Sequence, residues 1–129
     1  MIVVDTNVIA YLFVPGDRTS AVEALRRQDA EWAVPLLWRS EFRNVLATLI
    51  RLGHIELRSA QAIQAQAEQL LAPLEFAVDS ETVLALAASS NCSAYDCEFV
   101  ALADYLDVPL VTADRKLKTR FSRRVRLLS

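Results

Sequence analysis

Four acidic residues in the chain have the side-chain type and the surroundings of a metal site: Asp5, Glu41, Asp96 and Asp114. Two carboxylates about 4 Å apart repel each other by roughly 4 kcal/mol at an effective dielectric constant of about 20. A cluster of four must therefore take up protons or bind a cation, and Mg²⁺ prefers oxygen ligands of this kind. We expect a divalent metal site if the fold brings the four side chains together.

Two of the acids come directly after short apolar runs that are typical of buried strands. Asp5 follows residues 2–4, and Asp114 follows residues 110–113. In layered α/β folds, ligands bind at the carboxyl ends of the parallel strands, and both side chains are predicted to lie there. Taken alone, either residue is equally consistent with an ordinary helix N-cap.

The other two acids lie on segments whose apolar residues recur at helical spacing. Glu41 belongs to residues 38–52, and Asp96 belongs to the first turn of a helix predicted over residues 93–106. A boundary glutamate and a first-turn aspartate favoured by the helix dipole are the alternative interpretations. The metal-site hypothesis therefore depends on the four acids together and not on any one of them.

The elements that must position these residues alternate between strand and helix. Strands are predicted over residues 2–4, 31–34, 75–78, 110–112 and 125–128. Helices are predicted over residues 7–13, 19–28, 38–52, 59–71, 79–88 and 93–106, with a short basic helix after Asp114. This order favours a single α/β domain over residues 1–129, with a small parallel sheet flanked by helices on both faces.

The composition narrows the class of protein. Of the 129 residues, 53% are hydrophobic and only two are glycine, which indicates a helix-rich globule and excludes a disordered chain. The longest apolar run, residues 2–14, is too short to span a bilayer and lacks the cationic start of a signal peptide, so we expect a cytoplasmic protein.

Cys92 and Cys97, with His54 as the one histidine, make a poor zinc site, and we expect buried, reduced thiols.

The distribution of charge is more informative than its total. The net charge of −2 gives no sign of general polyanion binding, but basic residues crowd residues 115–126. Such a run can be a solvated face, or it can hold a phosphate backbone beside an acidic metal site. The candidates for RNA contact are Arg115, Lys116, Arg120, Arg123 and Arg124.

Four segments, taken in order, resemble the PIN-domain family and in particular the toxin ribonucleases of bacterial VapBC-type toxin–antitoxin pairs. They are IVVDTNVI at residues 2–9, SEFRNVL at 40–46, YDCEFVALA at 95–103 and LVTADRKL at 110–117. Each segment is a weak signal by itself, but four in this order and at these separations are specific. The resemblance covers essentially the whole chain, and Cys97 stands where a small residue such as alanine would be ordinary.

The resemblance implies an activity and a set of roles. The four acids would be the catalytic residues and would bind Mg²⁺, with Mn²⁺ as a substitute, and the supporting polar residues would be Thr6, Asn7, Asn44 and Thr112. The implied reaction is hydrolysis of RNA phosphodiester bonds by a metal-activated water. The implied partner is an antitoxin that lays a helix on an apolar groove and presents a basic side chain to the acids. A homodimer could form through residues 8–13 or through the helix at residues 59–71.

Other functions compete with this hypothesis. A receiver-like phosphoacceptor module would need a second acid beside Asp5 and a lysine after the last strand, whereas Thr6 and Arg126 occupy those regions. A haloacid-dehalogenase-type phosphatase would need a proton-donating acid at the position of Asn7. A PIN-like domain that binds without catalysis is the remaining alternative, and the presence of all four acids argues against it.

Overall fold

The computed structural model describes residues 1–129 and contains five strands and seven α-helices. The strands are β1 (Ile2–Val4), β2 (Trp32–Pro35), β3 (Glu75–Phe76), β4 (Leu110–Thr112) and β5 (Val125–Leu127). The helices are α1 (Thr6–Phe13), α2 (Thr19–Gln28), α3 (Trp38–Arg51), α4 (Leu57–Leu71), α5 (Ser80–Ser90), α6 (Ala94–Leu106) and α7 (Arg115–Arg120). A 3₁₀ turn at Ala72–Leu74 joins α4 to β3.

All five strands are parallel and lie in the order β3-β2-β1-β4-β5. The prediction of an α/β fold with a small parallel sheet is therefore confirmed. The boundaries differ at the margins, since β3 is two residues long where residues 75–78 were predicted, and α4 begins at Leu57 rather than residue 59. β3 lies at the edge of the sheet and pairs with β2 alone, and very short strands are common at sheet edges.

The order in which successive strands are added to the sheet reverses between β1 and β4, which are neighbours although far apart in the chain. Helices α1 to α4 connect the strands on one side of this point and pack on one another, whereas α5 and α6 pack as a pair and α6 contacts β1, β2 and β4. Right-handed crossovers place these two groups on opposite faces of the sheet. A crevice therefore opens at the carboxyl ends of β1 and β4, where α/β proteins bind ligands.

The core consists of one cluster of 25 buried apolar residues around the central strands. All residues of β1 and β4 are buried, because helices cover both faces of the sheet. Val8 is fully buried in this core and is therefore not available to the dimer face predicted at residues 8–13. Residues 10–13 are half-buried. Of the two free cysteines, Cys97 is buried as predicted, whereas Cys92 is only half-buried. No helix combines the length and the apolar character needed to cross a membrane.

A cluster of ion pairs holds the start of α3 against the edge of the sheet. The Glu75 carboxylate accepts a hydrogen bond from Trp38 Nε1 at 2.6 Å and two from the Arg39 guanidinium at 2.7 Å each. Arg39 also pairs with Glu68 at 2.9 Å. The guanidinium lowers the pKa of Glu75 below its ordinary value, with Trp38 adding to the effect. These contacts set the position of the turn that carries Glu41.

Candidate active site

A cleft of about 680 Å³ lies at the crevice between β1 and β4. Helices from both faces of the sheet form its walls. It is lined by the four predicted acids and by Thr6, Asn7, Leu37, Ser40, Asn44, Val45 and Tyr95. The fold therefore brings together all four carboxylates that the sequence singled out, from positions more than a hundred residues apart in the chain.

Asp5 forms the floor of the cleft and is only 8% exposed. One carboxylate oxygen accepts the backbone N–H of Thr6 at 2.8 Å, so that Asp5 is the N-cap of α1. The other oxygen accepts the hydroxyl of Thr112 at 2.8 Å. Burial raises the pKa of Asp5, and the charges of Asp96 and Asp114 add to this, while the two hydrogen bonds lower it. Asp5 is therefore a helix N-cap and at the same time lines the acidic cleft.

Thr112 and Asn7 tie β4 to the start of α1 around this carboxylate. The Thr112 hydroxyl, which is fully buried, accepts the Asn7 side-chain amide at 3.2 Å and the backbone N–H of Asp114 at 3.0 Å. The Asn7 side-chain oxygen accepts the backbone N–H of Ala113 at 3.1 Å. The hydrogen bonds of Thr112 and Asn7 therefore fix the orientation of Asp5 and the backbone at Asp114. Hydrogen bonds of this kind commonly hold metal-binding side chains in place.

Glu41 enters the cleft from the first turn of α3. Its carboxylate accepts the Thr6 hydroxyl at 2.7 Å, which links the helix to the floor of the site. Burial is the main cause that raises the pKa of Glu41, and the charges of Asp5, Asp96 and Glu98 raise it further, whereas the bond from Thr6 lowers it.

Asp96 and Asp114 complete the acidic wall from the other side. Ser93 caps α6 by accepting the backbone N–H of Asp96 at 3.0 Å, which places the Asp96 side chain in the first turn. Burial and then the charge of Asp114 raise the pKa of Asp96, and the Lys116 ammonium lowers it. Asp114 itself caps α7 by accepting the backbone N–H of Lys116 at 2.9 Å.

The remaining predicted residues divide into two groups. Asn44 lines the cleft from α3 with an exposed side chain, and Arg115, Lys116, Arg120 and Arg123 are exposed at or after α7. Arg124 is different, because its guanidinium pairs with Asp104 at 2.7 Å and Asp107 at 3.3 Å and bonds the Val108 carbonyl. Its charge is therefore already paired with two carboxylates of the chain itself.

Three residues near the site were not predicted from the sequence to belong to it. Ser40 and Tyr95 line the cleft, each directly preceding one of the acids, and Glu98 lies close enough to raise the pKa of Glu41. Adjacency to Glu41 and Asp96 was the signal that could have found the first two. Glu98 is two residues after Asp96, and burial raises its own pKa.

The oxygen donors for a cation are the four carboxylates, supplemented by the Thr6, Asn7 and Asn44 side chains. No three of the acids are close enough, in the side-chain positions described here, to enclose an ion. The donor set nevertheless fits Mg²⁺, which keeps several waters and needs only a few carboxylates. Burial is the main cause that raises the pKa of Asp5, Glu41 and Asp96, and neighbouring negative charges add to it, so a cation would favour their ionised forms.

The chain belongs to the PIN domain family, whose model matches residues 2–121. Ribonuclease VapC3 of Pyrobaculum aerophilum is 29% identical over 123 residues, covering 93% of this chain and 94% of that protein.

Solved structures share the fold at lower identity. PAE2754 from Pyrobaculum aerophilum has a TM-score of 0.78 at 19% identity, covering 98% of this chain and 90% of that one. FitAcB from Neisseria gonorrhoeae has a TM-score of 0.72 at 19% identity, covering 100% and 97%. A toxin-antitoxin complex from Klebsiella pneumoniae has a TM-score of 0.66 at 18% identity, covering 98% and 96%.

Proposed function

We propose that this protein is a metal-dependent endoribonuclease and the toxin of a toxin–antitoxin pair. The convergence of four carboxylates in one cleft, with the pKa of three of them raised, is the observation that carries the proposal. Similarity to a protein named as a ribonuclease supports the choice of RNA as substrate. The likeness in fold to a chain of a toxin-antitoxin complex supports the toxin role and a protein inhibitor as partner.

The residues of the chain bind and orient in this mechanism. Asp5, fixed by the N–H of Thr6 and the hydroxyl of Thr112, would be the most rigid ligand of the metal ion. Glu41, Asp96 and Asp114 would complete the negative surface that holds the ion and the water molecules around it. When bound, Mg²⁺ or Mn²⁺ would supply Lewis-acid polarisation of the phosphoryl group and a water of lowered pKa. No side-chain nucleophile is required.

The test of the proposal is cleavage of RNA by the purified protein with and without metal. Cleavage of a labelled RNA is expected in Mg²⁺ or Mn²⁺ and is expected to stop in excess EDTA and to return when the metal is restored. Co-purification with the product of a small adjacent reading frame should suppress the activity. Full cleavage in EDTA would contradict the metal mechanism, and no cleavage in any metal would favour a PIN-like domain that only binds.

Metal should stabilise the fold in a pH-dependent way. Asp5, Glu41 and Asp96 have raised pKa values, so without metal the folded state holds protons more tightly than the unfolded state, and stability falls as the pH rises through those values. Added Mg²⁺ should therefore raise the Tm most at neutral and higher pH. The gain should disappear as the pH falls towards the ordinary carboxyl values of 3.8 and 4.5. Thermal melts across a pH series measure this, and a pH-independent gain would contradict it.

The exposed basic residues should contribute to RNA binding, whereas the paired Arg124 should contribute to stability. Replacing Arg120 and Arg123 with Gln is expected to weaken RNA binding and to lower the slope of log Kd against log salt by roughly one to two. Arg124→Gln removes both ion pairs and is expected mainly to lower the Tm. A salt series of RNA affinities measures the first effect. If the slope of log Kd against log salt is unchanged in the double variant, Arg120 and Arg123 do not contact the RNA.

A further inference from the structure

Tyr95 is an aromatic residue left open to solvent at the rim of the acidic cleft. Its side chain is 63% exposed, and it lines the same cleft as the four acids. None of the ring–ring or cation–ring contacts in the chain involves it. A single exposed aromatic residue is ordinary on a protein surface, so exposure alone carries no weight. Its position beside the acids is what calls for a function.

Helix geometry explains how Tyr95 and Asp96 can serve the same cleft. Ser93 caps α6 and starts the helix immediately before them, so the two residues occupy consecutive positions of its first turn. The Asp96 side chain is half-buried and feels the charge of Asp114, whereas the neighbouring ring of Tyr95 remains in solvent. A chain whose phosphate sits at the acids would therefore pass beside a free aromatic face.

The rest of the rim supplies groups that suit a nucleobase. Ser40 and Asn44 line the cleft from α3 with exposed hydroxyl and amide groups, and Leu37 adds apolar surface. An amide and a hydroxyl can both donate to and accept from base edges. The cleft volume of about 680 Å³ lies within the range of small-ligand sites.

We infer that Tyr95 is a stacking platform for an unpaired nucleobase next to the bound phosphate. The inference rests on the proposed function and adds to it a residue that binds the substrate. Bases of single strands can unstack and lie on aromatic rings, while bases of a duplex are held inside the helix. Stacking needs the ring and not the hydroxyl, and this separates the inference from a role of Tyr95 in proton transfer.

Three variants on one helix test the inference. Tyr95→Ala removes the ring, Tyr95→Phe keeps the ring without its hydroxyl, and Tyr105→Ala removes an 82% exposed tyrosine of α6 that lies outside the cleft. The probe is a fluorescein-labelled, mixed-sequence single-stranded oligoribonucleotide, and the readout is its Kd by anisotropy with Ca²⁺ in place of Mg²⁺. Tyr95→Ala is expected to weaken binding on the order of tenfold, which is within the range for losing one base–aromatic stack.

The controls decide between the outcomes. Tyr95→Phe and Tyr105→Ala should bind the single strand within about twofold of the unmodified protein, and Tyr95→Ala should leave affinity for a duplex RNA nearly unchanged. The inference would be overturned if Tyr95→Ala bound the single strand as tightly as the unmodified protein. It would also be overturned if Tyr95→Phe and Tyr95→Ala lost equal affinity, or if the unmodified protein did not bind the single strand measurably. Metal-dependent cleavage is scored separately, so Tyr95 can fail as a platform while the nuclease function stands.

Discussion

Asp5→Asn is expected to lower the rate of RNA cleavage in Mg²⁺ by at least about 100-fold, since losing even one preorganised hydrogen-bond donor from a catalytic site costs a factor of roughly 100 to 1,000. The substitution keeps the size of the side chain and an oxygen that can cap α1, but it removes the charge on the floor of the cleft. A gel or fluorescence cleavage assay with matched protein concentrations measures the loss. Raising the Mg²⁺ concentration should recover little of it, because an amide oxygen is a weak ligand for the ion.

The same substitution should not unfold the protein. Burial and the charges of Asp96 and Asp114 raise the pKa of Asp5, so its ionised form opposes folding when no metal is present. Asp5→Asn should therefore melt at the same temperature as the unmodified protein, or higher, in EDTA at neutral pH. Asp17→Asn, which neutralises an exposed acid in the turn before α2, is the matched control and should keep full activity. Loss of activity accompanied by a large fall in Tm would contradict the argument.

Glu75→Gln is expected to destabilise the fold by about 2–3 kcal/mol. Breaking a fully buried ion pair by removing one partner costs roughly 3–5 kcal/mol, and the cost here is reduced below that range because the Arg39 side chain is 33% exposed. The substitution weakens the two hydrogen bonds from Arg39. It also leaves one accepting oxygen where Glu75 has two, so the amide cannot accept from both Arg39 and Trp38 Nε1 with two separate oxygens. Urea unfolding monitored by circular dichroism measures the effect.

Glu68→Gln is the control for this network. Glu68 contacts Arg39 through a single ion pair on the more exposed side of the guanidinium, so its replacement should cost no more than about 1 kcal/mol. Glu75 anchors the start of α3, which carries Glu41. Glu75→Gln should therefore also reduce the rate of RNA cleavage under conditions in which the variant is still folded. Equal stabilities of the two variants would show that the anchor at Glu75 is no stronger than a surface ion pair.

Much of the fold could be predicted from the sequence because local patterns and global structure agree. The apolar runs at β1 and β4 are buried strands, and the caps at Asp79 and Ser93 start the helices predicted there. Boundaries were less predictable where pairing rather than residue preference decides them. β3 lies at the edge of the sheet, and its pairing with β2 stops after Phe76.

The candidate site was predictable in its acids but not in its surroundings. Residue type and position at strand or helix ends identified the four carboxylates and their supporting hydroxyl and amide groups. Tyr95 and Glu98 carried no comparable signal, since an exposed tyrosine and a helical glutamate are common anywhere on a surface. The engagement of Arg124 by Asp104 and Asp107 was equally hidden, because the partners lie 17 and 20 residues away in the chain.

The sequence by itself determined the alternation of strands and helices, the apolar core and the identity of the four acids, because these follow from local periodicity and side-chain chemistry. Only the tertiary structure decided that the acids share one cleft. The order β3-β2-β1-β4-β5 places β1 beside β4 and so brings Asp5 next to residues more than a hundred positions away. That pairing depends on long-range contacts, and the raised pKa values of Asp5, Glu41 and Asp96 exist only once it has formed.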